Sequence, residues 1–362
     1  MARLRPKSLT DGFACFFELF LKRLGQTKDD DEFLKNRFID CDKEQNRKLF
    51  GKSVIQAERK DKGGNMQFLV SCTGINYFVT VGYHDVSMPS QLIPEDTTVG
   101  IFLTLVLERE IPILSNIDNW YILNKIIIPF EDPANPIPYS LEDFVDCFPE
   151  FNVFRINDAI SDYNVMLDKL SISLLCKNND LLLLNLPVDV LNLYMGLVNS
   201  GYKNLNYDNL WRSISANEWR YCFIDLYRCI EVLFNITRTL ELNDNISSRK
   251  SLNNLFTFSW ENLRDYYHED QMLEGIISSL SPAAQRKLST ITPIKNAKGY
   301  YALRNSIVHG KRIKYYNSIL KKEKDWLKII DFSLTAIDEL YSLYDDELDT
   351  FDESVVKSNR IN

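Results

Sequence analysis

Past about Asn209 the strand texture of this chain stops, and apolar residues recur at intervals of three and four. One helix is predicted over Ala216–Leu240, with Phe223, Leu226, Tyr227, Ile230, Leu233, Phe234 and Leu240 along one face. Another runs over Tyr315–Tyr344, with Trp326, Ile329, Ile330, Leu334, Ile337, Leu340 and Tyr341 as its stripe. Between them, Leu255–Tyr267 and Glu269–Leu280 read as shorter helices, Pro282 suits a first helical turn, and Asn296–His309 ends at Gly310, a natural stop. Helices with one apolar stripe each must bury those stripes against one another, so this region is expected to be an all-α bundle.

The first 205 residues have a different texture. Helices are predicted over 10–24, 31–40, Leu141–Phe148 and Asp158–Leu170, and Pro187 opens another to about Val198. Ser53–Lys60, Met66–Cys72 and Asn76–Tyr83 are short β-prone runs, the first two joined across Lys62-Gly63-Gly64-Asn65, where Gly-Gly permits a tight hairpin. Val99–Glu108, Trp120–Phe130, Ser171–Cys176 and Leu181–Leu186 are expected to be further strands on their Ile, Leu, Val and aromatic content. Three prolines between Glu131 and Pro138 force an irregular loop. The expected organisation is an α+β domain over 1–205 that senses a trigger or positions a substrate. A helical bundle over 210–345 and an acidic flexible tail over 346–362 follow it.

Composition sets the class. At 45% hydrophobic and 25% charged residues, 362 residues can bury sizeable cores. No apolar run is long enough to span a membrane. Arg3, Arg5 and Lys7 before Phe13-Ala14-Cys15-Phe16-Phe17 mimic a signal peptide. Glu18 interrupts that run and no small-residue cleavage site follows, so an amphipathic first helix is expected. The seven cysteines are scattered without a Cys-x-x-Cys pair, which points to core thiols in a reducing cytoplasm. The net charge of −8 argues against general nucleic-acid binding, but its distribution does not. Ser281–Lys324 holds eleven basic residues and one acid, whereas Asp338–Glu353 holds eight acids and no base. The basic block suits a polyanion; the same block also reads as a solvated helix face.

Inside that block lies Tyr300-Tyr301-Ala302-Leu303-Arg304-Asn305-Ser306-Ile307-Val308-His309-Gly310. It puts a group that moves protons near neutral pH five residues from a permanent cation suited to phosphate oxygens. On an ideal helix Arg304 and His309 sit about 140° apart, whereas Asn305 and His309 share a face. Either the last turn distorts near Gly310, or the two groups act against their copies in a second chain. Structural roles stand beside the chemical ones. His309 could bond the last carbonyls of its helix, Arg304 could bridge to Glu231, and Tyr300 and Tyr301 could be core or interface residues. His84 and His268 read as bystanders, and no metal site or cofactor is expected. Phosphate-cradling glycine loops and hydrolase or zinc-protease signatures are absent.

Arg304-Asn305-Ser306-Ile307-Val308-His309-Gly310 resembles the Arg-x(4–6)-His signature of the HEPN superfamily, specifically its Apea-like ribonuclease effectors. Tyr227-Arg228-Cys229-Ile230-Glu231-Val232-Leu233-Phe234 is similar to the first helix of that family, where a glutamate interrupts an apolar face. The resemblance covers about residues 215–345. It implies a metal-independent endoribonuclease that works as a homodimer, in toxin–antitoxin or antiphage defence. His309 would be the acid–base group, Arg304 the phosphate partner, Asn305 and Glu231 their supports. Lys298, Lys311, Arg312 and Lys314 of the basic block would contact RNA, tRNA being one candidate. A trigger or antitoxin protein would be a further partner. The alternative implied by the same resemblance is a non-catalytic module binding nucleotides or a partner protein.

Overall fold

The Gly63-Gly64 hairpin forms, with Gly64 at φ +92°, a backbone conformation only glycine adopts at little cost. It joins β1 (Val54–Lys60) to β2 (Met66–Cys72), and a second turn leads to β3 (Ile75–Val81). The computed structural model describes residues 6–25, 37–61, 63–84, 86–87, 92–127, 138–157, 159–234, 236, 269–292, 294–309 and 322–349. Two compact units divide at Leu167/Asp168. The contacts therefore group residues 168–205 with the C-terminal helices, some 40 residues before the change in sequence texture.

In the first unit, two strands that local pattern did not reveal complete an antiparallel sheet. These are β4 (Leu92–Glu95) and β5 (Phe151–Ile156), and the order is β1-β2-β3-β5-β4. Phe68, Val70 and Cys72 of β2 and Tyr77, Val79 and Val81 of β3 alternate along their strands toward one core. Against them pack α1 (Leu9–Arg23), α2 (Lys43–Lys52) and α3 (Val99–Glu108). Ser8 caps α1, accepting from the Asp11 N–H at 3.1 Å. Phe16 of that helix lies 5.1–5.8 Å, centroid to centroid, from the rings of Phe17, Phe20, Phe102, Phe144 and Phe148. The amphipathic first helix is thus the aromatic centre of this unit. Buried Arg37 bonds the carbonyls of Ile126 and Ile127 and the Tyr139 hydroxyl.

Several expected strands are helices instead. Val99–Glu108 is α3, capped by Thr98 and buried on nearly every side. Asn119–Tyr121 (α4) continues as a π turn over Ile122–Ile127. Ser171–Cys176 lies within α6 (Tyr163–Lys177), and Leu181–Leu186 follows a short 3-10 turn at Asn179–Leu181 without forming a strand. For Val99–Glu108 and Ser171–Cys176 the physical reason is shared. A helix buried all round has no polar face, so its apolar run carries no period that separates it from a buried strand. Helix α5 is shorter than expected, Glu142–Val145. Of 31–40, the described part (37–40) is extended, with Ile39 bridging Tyr139.

The second unit is helical. It comprises most of α6, then α7 (Val188–Ser200), α8 (Tyr207–Ile214), α9 (Trp219–Glu231), α10 (Glu269–Ser279), α11 (Pro282–Thr290), α12 (Ala297–Val308) and α13 (Glu323–Asp349). The long α13 is the spine: α7, α9, α10 and α11 all pack on it, α8 packs on α9, and α12 packs on α10 and α9. Acids of the negatively charged end hold this spine in place. Glu339 accepts from the Ser281 N–H (2.7 Å) and hydroxyl (2.6 Å), and Asp338 accepts from the Tyr202 hydroxyl at 2.9 Å. Asp345 accepts the backbone N–H groups of Lys203 (2.8 Å) and Asn204 (2.9 Å). Residues 346–349, the start of the expected tail, continue α13; 350–362, Leu255–Tyr267 and Gly310 lie outside the described residues. The chain is therefore α+β in its first part and mostly helical in its second. Among the described residues no helix is long and apolar enough to cross a membrane.

Candidate functional site

Helix α12 begins at a sharply folded turn. Lys295 takes φ +58°, its N–H bonds the Ile291 carbonyl at 2.8 Å, and Asn296 caps the helix by accepting from the Gly299 N–H at 2.9 Å. The Ile294 carbonyl then lies so close to Gly299 that a Cβ there would stand 2.1 Å from its oxygen. Only glycine fits, so Gly299 ties the register at the start of α12 to the turn before it.

That register buries Ala297, Tyr300, Leu303 and Ser306. Tyr300 is fully buried; its ring stacks on Tyr227 (5.7 Å, 29°) and meets Phe223 (5.2 Å) and Phe332 (5.3 Å) edge-on. It is a core residue, one of the two roles its sequence allowed. Lys298, Tyr301, Asn305 and His309 follow one another at intervals of three or four along the opposite side. Lys298 and His309 are exposed, and Tyr301 and Asn305 half-buried.

Arg304 sits at the edge of that face and is held from three sides. One guanidinium nitrogen donates to Glu231 Oε1 at 2.7 Å, and the other donates to Asn305 Oδ1 at 2.9 Å. The second nitrogen also lies 3.6 Å from Glu269 Oε2, and the guanidinium carbon stands 5.6 Å from the centre of the Tyr227 ring. The Arg304 side chain keeps 17% of its surface, against 34% for Glu231 and 42% for Glu269. The bridge to Glu231 considered from sequence is thus formed, joining α12 to the last residue of α9. Burial pushes the Tyr301 hydroxyl above its ordinary pKa; Asn305 opposes the shift and the Glu269 carboxylate adds to it. Burial also raises Tyr227, whose hydroxyl has no hydrogen-bond partner among the described residues.

The end of α12 is regular up to the histidine. His309 caps the helix at φ −98°, and its backbone N–H still bonds the Asn305 carbonyl at 3.0 Å. No distortion within this turn swings His309 toward Arg304, and among the described residues nothing hydrogen-bonds its ring. Lys298 is placed on the exposed face, whereas Lys311, Arg312 and Lys314 lie outside the described residues, as does His268. Elsewhere in the basic block, Lys287 pairs with Asp331 at 3.0 Å. In the first unit, His84 Nδ1 stands 2.7 Å from Glu150 Oε2 in an exposed pair.

Sequence reasoning missed Glu269 as a partner of Arg304. The two are 35 positions apart with no shared pattern, and only the packing of α10 on α12 brings them together. No group of three or more His, Cys, Asp or Glu side chains among the described residues could hold a metal ion. Comparison with protein-family models, with curated proteins and with solved structures finds no match to this chain.

Proposed function

We propose that the helical unit is a HEPN-type, metal-independent endoribonuclease acting on RNA in the cytoplasm, as a toxin or antiphage effector. The observation that carries this reading is the arrangement on α12. Arg304 is oriented by Glu231 and Asn305, and an exposed His309 stands five residues on, at the helix end. In this mechanism the RNA 2′-hydroxyl gives up its proton to an imidazole and attacks the adjacent phosphate. The 5′-oxygen leaves with a proton, and the products are a 2′,3′-cyclic phosphate and a 5′-hydroxyl. Arg304 neutralises charge growing on the phosphate oxygens. Asn305 and Glu231 fix the guanidinium, and Lys298 meets a neighbouring phosphate.

Because the turn to His309 is regular, Arg304 and His309 of one chain point to different sides of α12. A homodimer in which each chain's Arg304 faces its partner's histidine across a two-fold axis answers that geometry. One observation favours a second reading, a non-catalytic module for nucleotides or a partner protein. Arg304 already faces two carboxylates, as a structural bridge would. Expression of wild type beside His309→Ala and Arg304→Ala separates the readings. Ribonuclease action predicts RNA breakdown with wild type alone. Intact RNA with all three, together with retained nucleotide or RNA binding in His309→Ala, favours the module.

A further inference from the structure

The electrostatics around Arg304 are at odds with a site that stands open to phosphate. Glu231 makes the short bond expected of an orienting partner. Glu269 does something different. Its oxygen, at 3.6 Å, is too far for a hydrogen bond, yet it faces the same guanidinium nitrogen that Asn305 holds at 2.9 Å. Two carboxylates therefore face one guanidinium, and a phosphodiester approaching that nitrogen meets an excess of negative charge. Glu269 has its own reason to be there. It lies in the first turn of α10, where a carboxylate is favoured by the helix dipole whether or not Arg304 is near. It also neighbours the Tyr301 hydroxyl on the exposed side of α12.

We infer that Glu269 is an electrostatic gate on the Arg304 site, a carboxylate that competes with substrate phosphate for the guanidinium. Glu231 orients Arg304, and Glu269 sets how tightly an incoming phosphate must bind to displace it. The site discriminates against small, weakly held anions and engages RNA once several phosphates along the strand contribute together. This inference rests on the ribonuclease reading for its substrate, but not for the competition itself.

The test uses the full chain as wild type, Glu269→Gln, Arg304→Ala, the double variant, and Glu274→Gln as a control that removes an exposed charge from the same helix. Glu269→Asp, which draws the carboxylate back, serves if Glu269→Gln unfolds, with an intermediate effect expected. Two probes are applied: a labelled single-stranded RNA of mixed sequence, read by fluorescence anisotropy and by cleavage, and inorganic phosphate, read as the rise in Tm it causes. Removing one partly exposed pair is expected to tighten RNA binding about three- to fivefold. Phosphate should raise the Tm of Glu269→Gln more than that of wild type or Glu274→Gln. Both gains must vanish when Arg304 is absent. A phosphate response equal to that of Glu274→Gln, or one that survives in the Arg304→Ala background, overturns the gate. A phosphate difference that depends on Arg304, with RNA neither bound nor cut by any variant, leaves the gate standing and removes the ribonuclease reading.

Discussion

Gly299→Ala places a methyl group where α12 has no room. An ideal Cβ lies 2.1 Å from the Ile294 carbonyl oxygen, 2.8 Å from its carbon and 3.0 Å from the Ile294 Cα. All three are backbone atoms, so no rotamer change relieves the contact. Either the turn at Ile294–Asn296 opens or the start of α12 moves away. Overpacking of this kind costs about 1–3 kcal/mol. Loss of the Asn296 cap bond to the Gly299 N–H adds about 0.5–2 kcal/mol. The better helix propensity of alanine returns about 1 kcal/mol. The expected net loss is about 0.5–4 kcal/mol, at its upper end a large part of a typical domain's stability. Gly196 in α7 is the internal control, because a Cβ there meets nothing within 4 Å. Gly196→Ala should stabilise by up to about 1 kcal/mol through propensity alone. Urea unfolding followed by far-UV circular dichroism and by tryptophan fluorescence, to which buried Trp326 contributes, measures both. If Gly299→Ala is as stable as wild type, or gains like Gly196→Ala, the close approach of α12 to the Ile294 carbonyl is refuted.

Tyr300→Phe tests the core assignment. The Ser333 hydroxyl donates to the Ile329 carbonyl at 2.7 Å, so the Tyr300 hydroxyl, 2.6 Å away, is the donor to Ser333. Its removal should cost about 1 kcal/mol in urea unfolding and leave RNA affinity unchanged. Glu231→Ala takes away the closest partner of Arg304; a stability loss of about 1–2 kcal/mol is expected. RNA cleavage should fall less than in Arg304→Ala, which a parallel rate measurement checks. Burial pushes the thiols of Cys222 and Cys229 up to about 12 from 9.0. Because the folded values are raised, their contribution to stability is intact below about pH 9 and is lost as pH rises toward 12. The urea midpoint should therefore decline across that window, and a thiol reagent at pH 8 should reach neither cysteine until denaturant is added.

What the sequence made legible depends on where each helix stands relative to water. The stripes of α9 and α13 could be read because each faces core on one side and solvent on the other, leaving a period of three and four. The start expected at Asn296 is also met, with Asn296 as the N-cap of α12. Helix α3 and the middle of α6 could not be read from such a period, since burial on nearly every side erases the polar face that carries it. Strand β4 is only four residues long and contains Pro94, and β5 is known only from its pairing with β3 and β4. In the candidate site, Arg304, Asn305 and His309 were visible because one helix carries them all. Glu231 was visible as an acid on an apolar face. Glu269 was not, because its role arises from tertiary packing rather than from its neighbours in the chain.

Cleavage chemistry in the presence of EDTA tests the ribonuclease reading most directly. Wild type, His309→Ala and Arg304→Ala, purified identically, are incubated with end-labelled RNA, and the product termini are determined. The account predicts fragments ending in 2′,3′-cyclic phosphate and 5′-hydroxyl groups from wild type, and intact RNA from both variants. Equal cleavage by His309→Ala, or fragments that require added metal, would contradict it.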